Sequence, residues 1–318
     1  VERSTDRARL RHCAAMTPRP ASIPDVADVC TIRSSDAAPD APATLLLEVP
    51  HGATRAAHFD ALRAALAGDY PDDLRDFFFV NTDVGAPEVA LRLAERVAAA
   101  PGGHVVTVIR CRVPRTFIDC NRVIDAPRAG TSAAGGVTPG IVEYVREAGD
   151  LALLHGRYAA YRTLVETAMD DVCGRGGRAL MVHSYAPRAV AVDVDRDIVA
   201  RLHAAYAPDV VGTWPLRPEV DFITKTPDGE VLADPALLAA ARREIEGCGL
   251  GTADNGAYSL VPGSMAALHA RRWPGRTLCL EIRRDLLVPE FTPFAEMVPE
   301  PGQVARVADA LARAVLAA

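Results

Sequence analysis

The sequence predicts an α/β protein whose sheet is covered by helices on both faces. Apolar, β-branched runs alternate with stretches of helical period along the chain, which is the sequence form of that architecture. Several of those runs lead into a residue able to bind metal, move protons or pair with an anion: His51, Asp83, Arg115 and His183, with Glu281 inside a further run. In open α/β sheets ligands bind beyond the carboxyl ends of the strands, so these positions can converge on one rim. No self-similar period or interior linker divides the chain, so a single domain is expected over 41–318, after a flexible or partly docked leader at 1–40.

The leader is rich in Arg, Ala, Pro, Ser and Asp and lacks a sustained period, and its CAAM segment is too short for the apolar core of a signal peptide. LLLEVP (45–50) reads as a buried strand with His51-Gly52 at its carboxyl end, followed by a helix near 59–67. FFFV (77–80) reads as a second strand, ending in Asn81-Thr82-Asp83. Gly85-Ala86-Pro87 opens a helix to Ala100, with proline at a favoured first position and Glu88 in the first turn. HVVTVIR (104–110) is a third strand. Residues 126–140 read as an active-site flap, since their glycines lack the phosphate-binding GxxxxGK[ST] pattern.

Helical character returns over 141–173, with a possible break near Gly149. RALMVHSY (178–185) is the fourth strand and ends on His183-Ser184-Tyr185. A helix near 195–206, a strand near 210–214, a polar turn at 226–229 and a helix over 235–246 follow. Residues 248–264 read as loop, RTLCLEIRRDLL (276–287) as a last strand, and 302–318 as an amphipathic terminal helix.

Composition narrows the function classes. A formal charge of −6 argues against nucleic acid as the main partner, because a phosphate-binding face carries a basic excess. No apolar run reaches the roughly 18 residues of a membrane span. Seven scattered cysteines without a CxxC pair point away from a disulfide framework and toward a reducing cytoplasm.

The densest chemistry lies in VIRCRVPRTFIDCNRVID (108–125), which places Arg115, Asp119, Asn121 and Arg122 within eight residues. Such a cluster suits a carboxylate: an arginine fork pairs with it bidentately, an asparagine amide adds a donor, and an aspartate holds an arginine in place. A hydrolytic zinc wants two histidines and a carboxylate, for which His51 and His183 are the best nitrogen donors. Asp83 ranks ahead of Glu88 as the carboxylate, since Glu88 also suits the dipole of its helix. Glu281 sits in an apolar strand, where an ionised carboxylate needs a partner or a purpose. Leu280 and Ile282 face one way and Glu281 the other, and a glutamate beside an attacking water is the usual general base.

In order, Val49-Pro50-His51-Gly52, Thr82-Asp83, Arg115 with Ile118-Asp119-Cys120-Asn121-Arg122, His183-Ser184 and Leu280-Glu281-Ile282-Arg283-Arg284 resemble the blocks of the N-formylglutamate amidohydrolase family over about residues 44–287. The resemblance implies the fold of zinc carboxypeptidases and aspartoacylases, a three-layer α/β/α sandwich with a mixed, mostly parallel sheet. It also implies one zinc per chain, with His183 binding it and Glu281 as base. Asn121 and Arg122 would grip the substrate carboxylate, and Arg115 would polarise the scissile carbonyl. Carboxypeptidases place a glutamate three residues after the first histidine; Thr54 stands there in this chain, so Asp83 is the substitute expected.

A second carboxylate would call on Arg283, Arg284 or Arg112, and Trp214 and the loop around Tyr258 could shape the acyl pocket. The expected activity is metal-dependent hydrolysis of an amide next to a free carboxylate, with N-formyl-L-glutamate one candidate. A metallo-carboxypeptidase acting on short peptides or peptidoglycan fragments, and a non-catalytic carboxylate binder, are the alternatives.

Overall fold

The computed structural model describes residues 20–124 and 139–318. The first 19 residues of the expected leader, and 126–138 of the expected flap, lie outside the described residues.

The centre of the sheet is parallel: β2 (Leu45–Val49) lies between β3 (Val105–Cys111) and β4 (Arg178–Tyr185), and β7 (Thr277–Arg283) pairs with the far side of β4. β1 (Ala27–Arg33) runs antiparallel to β3 at one edge. At the other, β5 (Val220–Ile223) runs antiparallel to β7, and β6 (Thr252–Asp254) parallel to β5. The described sheet thus reads β1-β3-β2-β4-β7-β5-β6, mixed and mostly parallel.

Strand alternation divides the core into two layers, because successive side chains point to opposite faces. Leu45, Leu47, Val49, Leu180, Val182, Leu278, Leu280 and Ile282 pack with α3 (Ala86–Ala99), α6 (Pro235–Gly247) and α8 (Pro301–Ala317). Leu46, Ile109, Ala179, Met181 and Cys279 face the other way. They pack with α1 (Ala56–Ala65), α2 (Leu74–Asn81), α4 (Ala148–Gly174), α5 (Ile198–Ala205) and α7 (Met265–Arg272). The same alternation sends His183 and Glu281, which are register partners on neighbouring strands, to the second face. No described helix is long and apolar enough to cross a membrane.

Four local expectations change. FFFV is the interior of α2 and not a strand: Phe77, Phe78 and Phe79 are all buried, and Phe78 meets Phe59 of α1 with ring centroids 5.5 Å apart. A short apolar run carries no period of its own, and packing against α1 decides it. Residues 211–213 form a 3-10 turn with little burial, so the expected strand at 210–214 has no apolar face to bury. The helix expected from 141 begins only at Ala148, so 141–147 are not helical, and Gly149 sits in the first turn of α4, which runs unbroken to Gly174. Finally, β1 lies within the stretch expected as leader, while β5 and β6, at four and three residues, are too short to show a period.

Candidate active site

His51 follows β2 by one proline, and its backbone is pressed against β3. A Cβ on Gly52 would stand 2.5 Å from Arg110 Cγ and 2.9 Å from the Cys111 carbonyl oxygen, so this approach requires glycine. Arg110 Nε donates to the Gly52 carbonyl at 2.7 Å and fixes the turn. Asp83 lies in the tight passage from α2 to α3. Thr82 Oγ1 donates to the Ala53 carbonyl at 2.6 Å, and Gly85 turns the chain at φ 86°. His183 is near the carboxyl end of β4, where strand register holds it.

These three segments bring two imidazoles and a carboxylate together. His51 Nδ1 is 3.3 Å and His183 Nδ1 3.1 Å from the same atom, Asp83 Oδ2, and all three residues are buried. Their potential ligand atoms lie within 4.8 Å of one another, so the group could hold a metal ion. Ring protons sharpen the point. His51 Nε2 is 2.8 Å from Asp119 Oδ1, a buried carboxylate that can only accept when ionised. With the proton on Nε2, a neutral His51 turns its Nδ1 lone pair toward Asp83 Oδ2, with Arg115 Nη1 3.4 Å from the same nitrogen, and that lone pair is the one a metal ion would take. A carboxylate behind a histidine is also the usual support for a metal ligand. His183 Nε2 is buried without a hydrogen-bond partner.

In the metal-free protein a proton supplies positive charge at this point. Burial and Arg115 act against a charged His51, yet Asp119 and Asp83 outweigh them and raise its pKa. Burial alone would raise the Asp83 pKa, but His51 and His183 hold it well below the usual carboxylate range. Burial likewise works against ionised Asp119, and His51, Arg115 and Arg122 overcome it.

Around this group the 115–122 segment folds back on itself. Arg115 donates to Asp119 Oδ2 at 3.2 Å and lies 3.8 Å from Asp83 Oδ1. Asp119 Oδ1 also accepts the Asn121 backbone N–H at 2.8 Å. The Asn121 side-chain oxygen accepts from Ala266 N at 3.2 Å, at the start of α7, which leaves its NH2 as the end open to an anion. One cavity is lined by His51, Arg115, Asn121, Arg122, His183 and Glu281, with Tyr258, Arg217 and Arg284 among its other walls. Glu281 Oε2 is buried there without a partner. Burial pushes the Glu281 carboxyl up to about 7, helped by Asp83 and opposed by His183, Arg217 and Arg115.

Other candidates stand apart. Glu88 pairs with Arg55 at 3.3 Å and is not part of the His51–Asp83–His183 group. Arg283 does not line the cavity, because Asp285 at 2.8 Å and Glu219 at 3.5 Å engage its guanidinium. Arg112 pairs with Asp28 of β1 at 3.0 Å, and Thr54 accepts from Arg110 at 3.2 Å. Trp214 does not line the cavity; its Nε1 donates to the Ala205 carbonyl at 3.2 Å. Arg217 and the contact of Asp119 with His51 carried no signal in the sequence. A lone arginine in PLRPE looks like any surface loop, and a contact between distant residues leaves no spacing to read.

Comparison with known proteins adds to this geometry. The family profile described as N-formylglutamate amidohydrolase matches residues 43–288. No curated protein matches the chain. Among solved structures, an N-formylglutamate amidohydrolase from Ralstonia eutropha JMP134 superposes with a TM-score of 0.54 at 18% identity, covering 91% of this chain and 95% of that one. Gene product Atu2144 from Agrobacterium tumefaciens superposes with a TM-score of 0.52 at 19% identity, covering 93% and 96%. At such identities these two likenesses concern the fold alone.

Proposed function

This chain belongs to the N-formylglutamate amidohydrolase family, and from that premise we propose that it hydrolyses the amide bond of an N-acyl amino acid, with N-formyl-L-glutamate as substrate. The observation that carries the reading is the buried His51–Asp83–His183 group, whose two histidines line the cavity that also holds Glu281 with its Oε2 unpartnered. His51, Asp83 and His183 would hold one divalent ion, and two nitrogens with one carboxylate is a donor set that zinc takes. When bound, such an ion supplies Lewis acidity and lowers the pKa of a coordinated water.

The protein's own groups account for the rest. Asn121 and Arg122 grip the substrate α-carboxylate, the amide through its free NH2 and the arginine through its fork. Arg115, held by Asp119, donates to the scissile carbonyl oxygen and stabilises the charge that develops there. Glu281 takes a proton from the attacking water, whose oxygen bonds to the formyl carbon. The C–N bond then breaks, and the same proton passes to the departing amine, leaving formate and the free amino acid. A carboxylate whose Oε2 is held without a hydrogen-bond partner in the cavity suits both halves of that transfer.

The test is release of formate from N-formyl-L-glutamate by protein of known metal content. Roughly one zinc per chain with turnover that a chelator abolishes is expected. Turnover of dipeptides without turnover of the formyl compound would assign a carboxypeptidase instead. Metal-free protein that binds the acid and releases nothing would leave only a binder.

A further inference from the structure

We infer that Arg217 reads a second carboxylate, the one on the substrate side chain, and so makes the site selective for dicarboxylates. The inference rests on the N-formyl amino acid hydrolase reading above and assigns a residue outside the arginines expected for that task.

Arg217 lines the same cavity as Arg122 and Glu281. Its hydrogen bonds go to neutral acceptors, the Tyr258 hydroxyl at 2.9 Å and the Ala186 carbonyl at 3.3 Å. Its Nε is buried with no partner, and among the described residues no carboxylate forms an ion pair with it. Two other cationic walls differ: Arg115 has Asp119 and Asp83, and Arg284 lies 3.8 Å from Asp83. A guanidinium kept in a cavity without an ion-pair partner is costly unless a ligand supplies one.

Arg217 is also held in advance. Its guanidinium carbon lies 5.1 Å from the ring centre of Tyr185 and 5.4 Å from that of Tyr258. Tyr185 is anchored by its hydroxyl to the Pro218 carbonyl at 2.7 Å. The loop carrying Tyr258 is tied to buried Asp221, which accepts from Gly256 N at 2.8 Å and Ala257 N at 2.7 Å. That loop continues to Ser264, which bridges to Arg122. One short segment therefore joins the two arginines across the cavity. Fixed cations at two points of one cavity match a small diacid, and a rigid arginine loses little freedom on binding.

The experiment compares N-formyl-L-glutamate with N-formyl-L-glutamine, which differ only in the side-chain carboxylate. Rates are taken at alkaline pH, where Glu281 is ionised with or without Arg217. Wild type is expected to favour the diacid by about 100-fold in kcat/KM, mainly through KM, the scale of removing one partner of a buried charge pair. Arg217→Gln should erase that preference by slowing the diacid far more than the amide, and Arg217→Lys, checked by circular dichroism to be folded, should keep part of it. Equal losses on both substrates, or an unchanged preference, would overturn the assignment. A wild type that hydrolyses both compounds equally also overturns it while sparing the hydrolase reading; one that hydrolyses neither overturns both.

Discussion

His51 Nε2 and Asp119 Oδ1 lie 2.8 Å apart although their residues are separated by 68 positions in the chain. The bond commits the Nε2 proton and turns Nδ1 toward Asp83 and His183. Asp119→Ala should therefore weaken metal binding and turnover together, each by roughly 10–100-fold, as expected when the group behind a metal ligand is removed. Chelator competition reads the first effect and formate release the second. Tight metal binding in the variant would separate Asp119 from the centre.

Glu281→Gln keeps the shape and removes the carboxylate proposed as base. Metal content should stay at wild-type level while turnover falls by at least about 100-fold. Comparable activity in the two proteins would take Glu281 out of the proton transfer.

Glu281 also sets a pH dependence of stability in metal-free protein. Burial raises its folded-state pKa from the ordinary 4.5 to about 7. A carboxyl raised in the fold contributes stability below its unfolded pKa, and that contribution is lost as pH rises through the folded value. Glu281→Gln removes the buried charge, so it should melt above wild type at pH values well past 7 and lose that advantage below about 4.5. Melting curves of chelator-treated protein across this window check the sign, and an advantage that grows toward acid contradicts it.

Arg122→Ala should weaken binding of the free acid by about 2–5 kcal/mol, since the proposed clamp would lose its fork in a desolvated pocket. The same substrate capped as its α-amide should be affected much less. Identical losses for acid and amide would show that Arg122 serves the fold and not the carboxylate.

Gly52→Ala tests the backbone beneath His51. The new Cβ would press on Arg110 Cγ and on the Cys111 carbonyl oxygen. Overpacking of this kind costs roughly 1–3 kcal/mol, readable in denaturant unfolding, and should displace His51 enough to reduce turnover as well. Wild-type stability and activity would mean that the turn yields without moving the histidine.

Much of this molecule is legible from residues alone. Alternation in LCLEIR sets Glu281 opposite Leu280 and Ile282, and the β2, β3, β4 and β7 strands were readable because each is a buried apolar run. His51, Asp83, Arg115, Asn121, Arg122, His183 and Glu281 stand out for the same local reason: polar, chemically capable groups beside such runs, in an order a family shares.

The sequence by itself determined which side chains each strand delivers and to which face, because the two-residue period of a strand is a local property. It could not determine the state of FFFV, whose aromatics fit a strand or a buried helix until Phe59 and the rest of that core layer decide. Nor could it bring Asp83 to both histidines, join Asp119 to His51, or leave Arg217 without an ion pair while supplying two to Arg283. Those outcomes depend on distances between segments far apart in the chain. Only the stacking order of the strands and the paths of the loops between them set such distances.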